Sequence, residues 1–512
     1  MDPYFTLVKC SHFFAILDPK PEVLGLILKF SLKYIHSTYV RENGRNVLKP
    51  NHVFGARIAG TQFRFHIGQY KHFTEYLENN SIYENYYKSI EKQLYEPVKI
   101  KTKISPKYES RPYQVEAINF LVNEEIGDNR SRLVGLRTGL GKTMVSLSAA
   151  SKIGYRTLIV VLSKYVTKWG SDVTSVLDVK PKEIITIQGN KELKSLLWLS
   201  NEGAVDAKFI IISLNTIQNY YNEFKESGDD IVDLGYPYTP EVMCEKLGIG
   251  TVIFDEVHQH LYSVFRTLIH THVHKVIALS ATLISDDPFI DRMQNIMFPK
   301  EIRFDKVPMD RYIKVHAYSY SFTSYMASKK YRTTSRGSNT YNHIEFEKSL
   351  IKDRQVLRSY LNMIANLVKL EYVNNYIQGD KLLIFAASIA MCTLITNRLK
   401  EAFPKYDIRR FVEDDPYENV IDPDIRVSTL LSSGTAIDIP NLRAAIMTNS
   451  VQSPVSNLQA MGRLRKLKDR DVTFSYLYNL HVPKQIDYHR RKKELFEDRV
   501  ACLKEYKIED PV

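Results

Sequence analysis

The stretch GLRTGLGKT, residues 135–143, has the residue types needed to hold a polyphosphate. It follows the apolar run RLVGL and precedes MVSLSAA, so it reads as a glycine-bearing turn between a strand and a helix. Such a turn lets backbone N–H groups surround a phosphate at the positive end of a helix dipole. In its core, TGLGKT, residues Thr138, Gly139 and Gly141 shape the loop. Lys142 is placed to reach the β and γ phosphates of ATP, and the Thr143 hydroxyl suits Mg2+. The strict GxxxxGK(S/T) spacing fails at one place, where Leu136 stands for the first glycine.

A second feature is TVIFDEVH, residues 251–258, in which a short apolar strand delivers two adjacent carboxylates. In open α/β sheets ligands bind at the carboxyl ends of the strands. Asp255 suits Mg2+, and Glu256 suits the orientation and deprotonation of an attacking water. In LSATL (279–283), Ser280 and Thr282 close another strand and can link the acidic motif to a second ligand. Further on, LLSSGTAIDIPNL (430–442) puts Gly434 and Asp438 in a loop after a strand. QAMGRLRKLKDR (459–470) then places Arg463, Arg465 and Lys466 on or beside a helix, where an arginine could complete an ATP site across a cleft.

The elements that must position these residues divide the chain into three zones. At ~150 residues per domain, 512 residues suggest roughly three domains. Residues 1–105 form a small α+β accessory module. There Phe63, Phe65 and Ile67 alternate with Arg64 and His66, the period of a half-buried strand, with a hairpin turn near Gly60. Tyr70, Phe73, Tyr76 and Leu77 follow at helical spacing, and the basic strand face makes Arg64 a candidate DNA contact. Residues 106–305 carry continuous apolar runs at 157–162, 208–213, 251–256 and 275–282, and residues 306–512 repeat the style at 381–386, 424–430, 444–449 and 472–478. Such runs predict strands buried on both faces, hence parallel sheets covered by helices. The basic, tyrosine-rich stretch 321–341 reads as a mobile linker or insertion.

Composition narrows the class. Hydrophobic residues at 44% and charged residues at 25% exclude a disordered or fibrous chain. Four scattered cysteines (Cys10, Cys244, Cys392, Cys502) offer neither a zinc ribbon nor a disulfide framework. The amino terminus MDPYFTLVKC lacks a basic leader, and no apolar run reaches the ~18 residues of a membrane span, so a soluble cytoplasmic protein is expected. Seventy Lys and Arg against 58 Asp and Glu give a net charge of +12, which favours a polyanionic partner.

In this order, the features resemble the motif series of superfamily-two helicases and translocases over residues 108–480. RPYQ (111–114) resembles the adenine-recognising segment, which implies Gln114 as the adenine contact. TGLGKT resembles motif I, TLIVVLSKYVTKW (157–169) motif Ia, DEVH motif II and SAT motif III. LLIFA resembles motif IV, SSGTAIDIP motif V and QAMGRLRK motif VI. Within the superfamily the likeness points to phage UvsW-type helicases, with poxviral transcript-release helicases sharing a similar motif V. Three positions depart from the family pattern: Leu136, Ser163 where proline is common, and Lys466 where the second arginine would stand.

The resemblance implies two tandem RecA-like domains behind the small α+β module, binding ATP and Mg2+ between them. It implies Arg463 as the main arginine finger, with either Arg465 or Lys466 as its partner. His258, Ser280 and Thr282 would couple nucleotide state to DNA grip, and Ser163, Lys164, Thr216 and Thr429 would touch the nucleic-acid backbone. The implied activity is ATP-dependent remodelling of branched, forked or single-stranded DNA: Holliday-junction branch migration, fork regression and unwinding. Recombination or replication proteins are the expected partners, and a bacterial host cytoplasm the expected place if the chain is phage-encoded. Three other readings stand beside it: an RNA helicase or transcript-release factor, a non-catalytic nucleic-acid-binding protein on a decayed ATPase, and a duplex translocase without strand separation.

Overall fold

The computed structural model describes residues 2–33, 35–42, 45–52, 55–58, 62–123, 129–136, 139–281, 288–305, 311–323, 334, 341–412, 415–416, 418–430, 432, 439–468, 470–509 and 512, with 35–42, 45–46, 48–52, 55–58, 288 and 420 as backbone path. The chain divides into two compact units, Met1–Val307 and Pro308–Val512.

The first unit begins with β1 (Thr6–Lys9), β2 (Phe13–Leu17), the antiparallel pair β3 (Ile35–Glu42) and β4 (Arg45–His52), β5 (Gly55–Ile58), β6 (Gln62–His66) and β7 (Lys88–Glu91). Five of these form a mixed sheet of order β5-β6-β2-β1-β7, and β5 and β6 make the expected hairpin. Alternation along the strands gives this sheet two working faces. Phe14, Ile16, Phe63 and Phe65 meet Ile27 and Phe30 of the helix Pro21–Leu32 and Phe73 and Leu77 of the helix Tyr70–Glu78. Cys10, Phe13 and Ala15, on the opposite face, join the hydrophobic core of the domain that follows.

That second face corrects the sequence expectation. A half-buried strand with Arg64 turned to DNA was predicted, yet Phe63, Arg64, Phe65 and His66 are all buried. Arg64 forms an ion pair with Glu241 and donates to the Ile269 carbonyl at 3.4 Å. The Ser11 N–H donates to His272 Nδ1 at 3.1 Å, and the Val273 N–H donates to Ser11 Oγ at 3.0 Å. Gly68 has no side chain for a reason: a Cβ there would sit 2.0 Å from the Ile296 carbonyl oxygen.

The rest of the unit is a parallel sheet of β8 (Ser131–Gly135), β9 (Thr157–Val161), β10 (Ile184–Ile187), β11 (Phe209–Ser213), β12 (Thr251–Phe254), β13 (Lys275–Ser280) and β14 (Arg303–Phe304). Its order is β10-β11-β9-β12-β13-β8-β14. The apolar runs singled out in the sequence are β9, β11, β12 and β13, and every residue of these four is buried.

The second unit contains β15 (Ile313–Tyr320), β16 (Lys381–Ala386), β17 (Ile408–Phe411), β18 (Ile425–Thr429), β19 (Leu442–Met447), β20 (Val472–Asn479) and β21 (Cys502–Lys507). They pair in parallel in the order β17-β18-β16-β19-β20-β15-β21. Numbered within each unit, both seven-stranded sheets run 3-4-2-5-6-1-7. The chain is thus α/β, with two tandem parallel-sheet domains preceded by a small α+β module. Most of the stretch 321–341 lies outside the described residues. Among the described residues, no helix is long and apolar enough to cross a membrane.

Candidate nucleotide site

The phosphate-loop sequence sits between β8 and the helix Lys142–Ile153. Gly139 and Gly141 hold φ of +84° and +83°, a left-handed conformation that costs L side chains about 1–2 kcal/mol. Gly141 is also crowded, since a Cβ would lie 2.5 Å from Gln114 Nε2. That amide donates to the Leu140 carbonyl at 2.9 Å, while Gln114 Oε1 accepts from the Arg111 N–H at 2.8 Å. The Tyr113 hydroxyl donates to the same Leu140 carbonyl at 3.1 Å. The RPYQ segment therefore braces the loop from behind. Thr138 lies outside the described residues.

Lys142, the first residue of its helix, points its ammonium at Glu256 Oε1, 2.6 Å away and 114 residues on in the sequence. Both side chains are buried. Glu256 follows β12 with φ of +47°, a backbone conformation sparsely populated outside glycine and concentrated at functional sites. Its Oε2 is buried without a hydrogen-bond partner among the described residues and lies 3.4 Å from His258 Nδ1. His258 Nδ1 shares a 3.0 Å hydrogen bond with Ser280 Oγ at the end of β13. Burial, helped by the charge of Lys142, pushes the His258 imidazole down to about 3, so it is neutral near pH 7. Thr282 lies outside the described residues.

Asp255 has both carboxylate oxygens engaged. Oδ1 accepts from the Glu256 N–H at 2.9 Å, and Oδ2 accepts from the Trp169 indole N–H at 3.0 Å. Burial and then the neighbouring Glu256 charge raise its carboxyl above the ordinary range, against the opposing pull of Lys142 and the two hydrogen bonds. A buried carboxylate paired with one ammonium, and a half-buried carboxylate next to it, leave negative charge that a hard cation would neutralise. The oxygen donors of Thr143 and Asp255 fit Mg2+, and the unspent Glu256 Oε2 fits a water.

Trp169 is the residue that sequence reasoning missed. It lies on the helix Val166–Val176 with Val166 and Val173, all buried, and that spacing reads as a core stripe. An indole N–H aimed at a residue 86 positions away leaves no trace in local periodicity.

The remaining candidates fall elsewhere. Lys164 is exposed and Ser163 half-buried, before the same helix. Thr216 is a correction: expected at the nucleic acid, it is buried in the first turn of the helix Leu214–Ser227, its hydroxyl 2.7 Å from that of Ser213. Its backbone N–H donates to the capping Ser213 Oγ. In the second unit, Thr429 Oγ1 accepts from the Ser432 N–H at 3.0 Å and shapes the turn after β18. Gly434 and Asp438, further along that loop, lie outside the described residues. The helix Pro454–Met461 ends before Arg463, so the basic residues occupy the turn that follows it. Arg463 is buried, Arg465 half-buried and bonded to the Gly462 carbonyl, and Lys466 exposed. Their segment is pinned by the Tyr312 hydroxyl, which donates to the Leu464 carbonyl at 3.0 Å, and by Arg470, which pairs with the buried Asp380.

Comparison with known proteins places similarity over the segment that carries the phosphate loop and the acidic pair. The family described as Type III restriction enzyme, res subunit, matches residues 107–285, the segment from RPYQ through SAT. The general transcription and DNA repair factor IIH helicase/translocase subunit XPB of Schizosaccharomyces pombe is 22% identical over 409 residues, covering 77% of this chain and 46% of its own. The DNA 3'-5' translocase XPB2 of Sulfurisphaera tokodaii is 24% identical over 426 residues, covering 76% and 86%. The chain thus spans about half the length of the first relative and most of the second. Among solved structures, S. cerevisiae Dbp5 bound to RNA and ADP BeF3 shares the fold at a TM-score of 0.50 and 11% identity, over 78% of this chain and 91% of that one. With the res-subunit match and the XPB relatives, the chain is similar to helicases and translocases, and its two parallel sheets fit tandem RecA-like domains.

Proposed function

We propose that this chain is an ATP-driven DNA motor that remodels branched DNA. The observation that carries the motor is the buried cluster of Lys142, Asp255, Glu256, His258 and Ser280, gathered on the adjacent strand ends of β8, β12 and β13. The relatives named as a DNA repair factor helicase/translocase subunit and as a DNA 3'-5' translocase support DNA as the track.

In this reading Lys142 exchanges its ion pair for the β and γ phosphates. The exchange frees Glu256 to take a proton from the attacking water. Thr143 and Asp255 would hold Mg2+, which when bound offsets phosphate charge. Gln114 reads the adenine while bracing the loop at Leu140. Arg463 from residues 306–512 stabilises the transferring phosphoryl group, with Arg465 or Lys466 beside it. His258 and Ser280 report the nucleotide state to the strands, and Ser163, Lys164 and Thr429 follow the DNA backbone. Residues 1–105 serve as the accessory module of the first motor domain, 106–305. Recombination or replication proteins would be the partners of such an activity.

The test is an ATPase and unwinding panel on a four-way DNA junction, linear duplex and single-stranded RNA. The junction should stimulate hydrolysis most and be resolved into arms. Strongest stimulation by RNA would overturn the DNA reading in favour of an RNA helicase or transcript-release factor. Stimulated ATPase surviving Lys142→Ala would overturn the motor itself.

A further inference from the structure

Trp169 stands outside every role given above, yet it makes a direct polar contact with the residue assigned to the metal. Its indole N–H donates to Asp255 Oδ2 at 3.0 Å, and the ring is 2% exposed. A carboxylate can swing about its Cβ–Cγ bond and present either oxygen. Here the Glu256 N–H holds Oδ1 at 2.9 Å, and the indole holds the other. The first restraint comes from the backbone next door and moves with Asp255. The second comes from another element, the helix Val166–Val176, so among the described residues it is the hydrogen bond that fixes the carboxylate against the body of the domain. The same helix follows the turn carrying Ser163 and Lys164.

We propose that Trp169 is a positioning residue for Asp255. Its N–H sets the carboxylate plane so that the remaining lone pairs face the phosphate loop and the divalent cation there. Its helix is also a mechanical link from the Ser163–Lys164 turn to the metal site, separate from the His258–Ser280 connection. The inference rests on the nucleotide-site reading above and deepens it.

Two measurements test it. Trp169→Phe keeps the ring and deletes the donor. It should raise the Mg2+ concentration for half-maximal ATP hydrolysis about tenfold, as loss of a hydrogen bond to a charged group does. At saturating Mg2+ kcat should stay within about threefold, the split expected of a lost binding contribution. ATP affinity in EDTA, read by equilibrium dialysis, should not change. An unaltered Mg2+ dependence overturns the proposal.

The second measurement uses the chain's two tryptophans. Trp198 is 48% exposed, so Trp198→Phe leaves Trp169 as the sole tryptophan in a folded protein, read by excitation at the red edge where the 33 tyrosines do not absorb. Adding Mg2+ to the ATP-saturated variant should shift Trp169 emission, and the shift should vanish when Asp255→Asn is added. Emission indifferent to Mg2+ overturns the proposal even if Trp169→Phe fails to fold. Failure of the underlying reading looks different. If Lys142→Ala hydrolyses ATP as the natural chain does, the site assignment falls. If Lys142→Ala is inactive while Trp169→Phe keeps natural Mg2+ dependence, only the role of Trp169 falls.

Discussion

The two seven-stranded sheets repeat one strand order, but their equivalent edges carry different chemistry. In the first, the fifth strand, β12, is followed by Asp255 and Glu256, which meet Lys142 and Trp169. In the second, the fifth strand, β19, is followed by Thr448 and Asn449. Thr448 Oγ1 donates to the Phe385 carbonyl at 2.9 Å, and the Thr448 carbonyl accepts from the Tyr360 hydroxyl at 3.2 Å. One edge concentrates charge under strain, while the other holds neutral groups: Thr448 is bonded to Phe385 and Tyr360, and Asn449 Oδ1 is buried without a hydrogen-bond partner among the described residues. A parallel sheet supplies the place for chemistry, and a few residues after particular strands decide whether any occurs.

The largest effect should come from breaking the charged edge. Lys142→Ala and Glu256→Gln should each lower ATP hydrolysis by about 10³-fold or more in a steady-state assay. Arg463→Ala should cost about 10³-fold in kcat with ATP affinity largely kept, and Arg463→Lys should recover little because lysine lacks the planar fork. The mirror experiment on the quiet edge is Thr448→Val. It should cost about 1 kcal/mol of stability in urea unfolding and leave ATP hydrolysis within about twofold.

Acidification should separate the two units next. Burial pushes His66 and His258 down to about 3 from an ordinary 6.5, and His12, His260, His270 and His272 are also lowered in the first unit. The unfolded chain takes up protons that these buried rings refuse, so first-unit stability falls as pH drops below 6.5 toward about 3. In the second unit His343 and His489 act in the same direction. Glu347 opposes them, because burial raises its carboxyl from 4.5 to about 7. Its contribution is fully present below pH 4.5 and is lost as pH rises through about 7. Hydrogen exchange at pH 5 and pH 7.5 should show the first unit losing more protection on acidification than the second.

Arg64→Met should cost about 2 kcal/mol in thermal unfolding because a half-buried Glu241 loses its partner. A gain in stability would mean that desolvation outweighs the pair.

Legibility followed burial. β9, β11, β12 and β13 were readable because both faces are covered, which demands unbroken apolar runs. β15, IKVHAYSY, escaped because its polar residues find partners that local pattern cannot reveal: Lys314 pairs with Asp471 and His316 with Glu371. β17, IRRF, hides its strand character behind Arg409 and Arg410, which pair with Asp407 and Asp415. The lysine and the acidic pair were legible because phosphate and metal chemistry restrict residue type and order. Arg64 and Thr216 misled, since a basic or hydroxyl side chain looks the same in sequence whether it faces solvent or an interior partner.

The seam between the amino-terminal sheet and the first seven-stranded sheet carries a practical lesson. Phe13 and Ala15 belong to one continuous interior with Phe254 and Val257, which flank the acidic pair. Cutting the chain near residue 105 would uncover apolar surface of that shared interior, so a trimmed protein should precipitate or lose ATP turnover before any change in nucleic-acid preference can be read. Anyone grafting the module elsewhere, or swapping it between relatives, must carry its counter-face along with it.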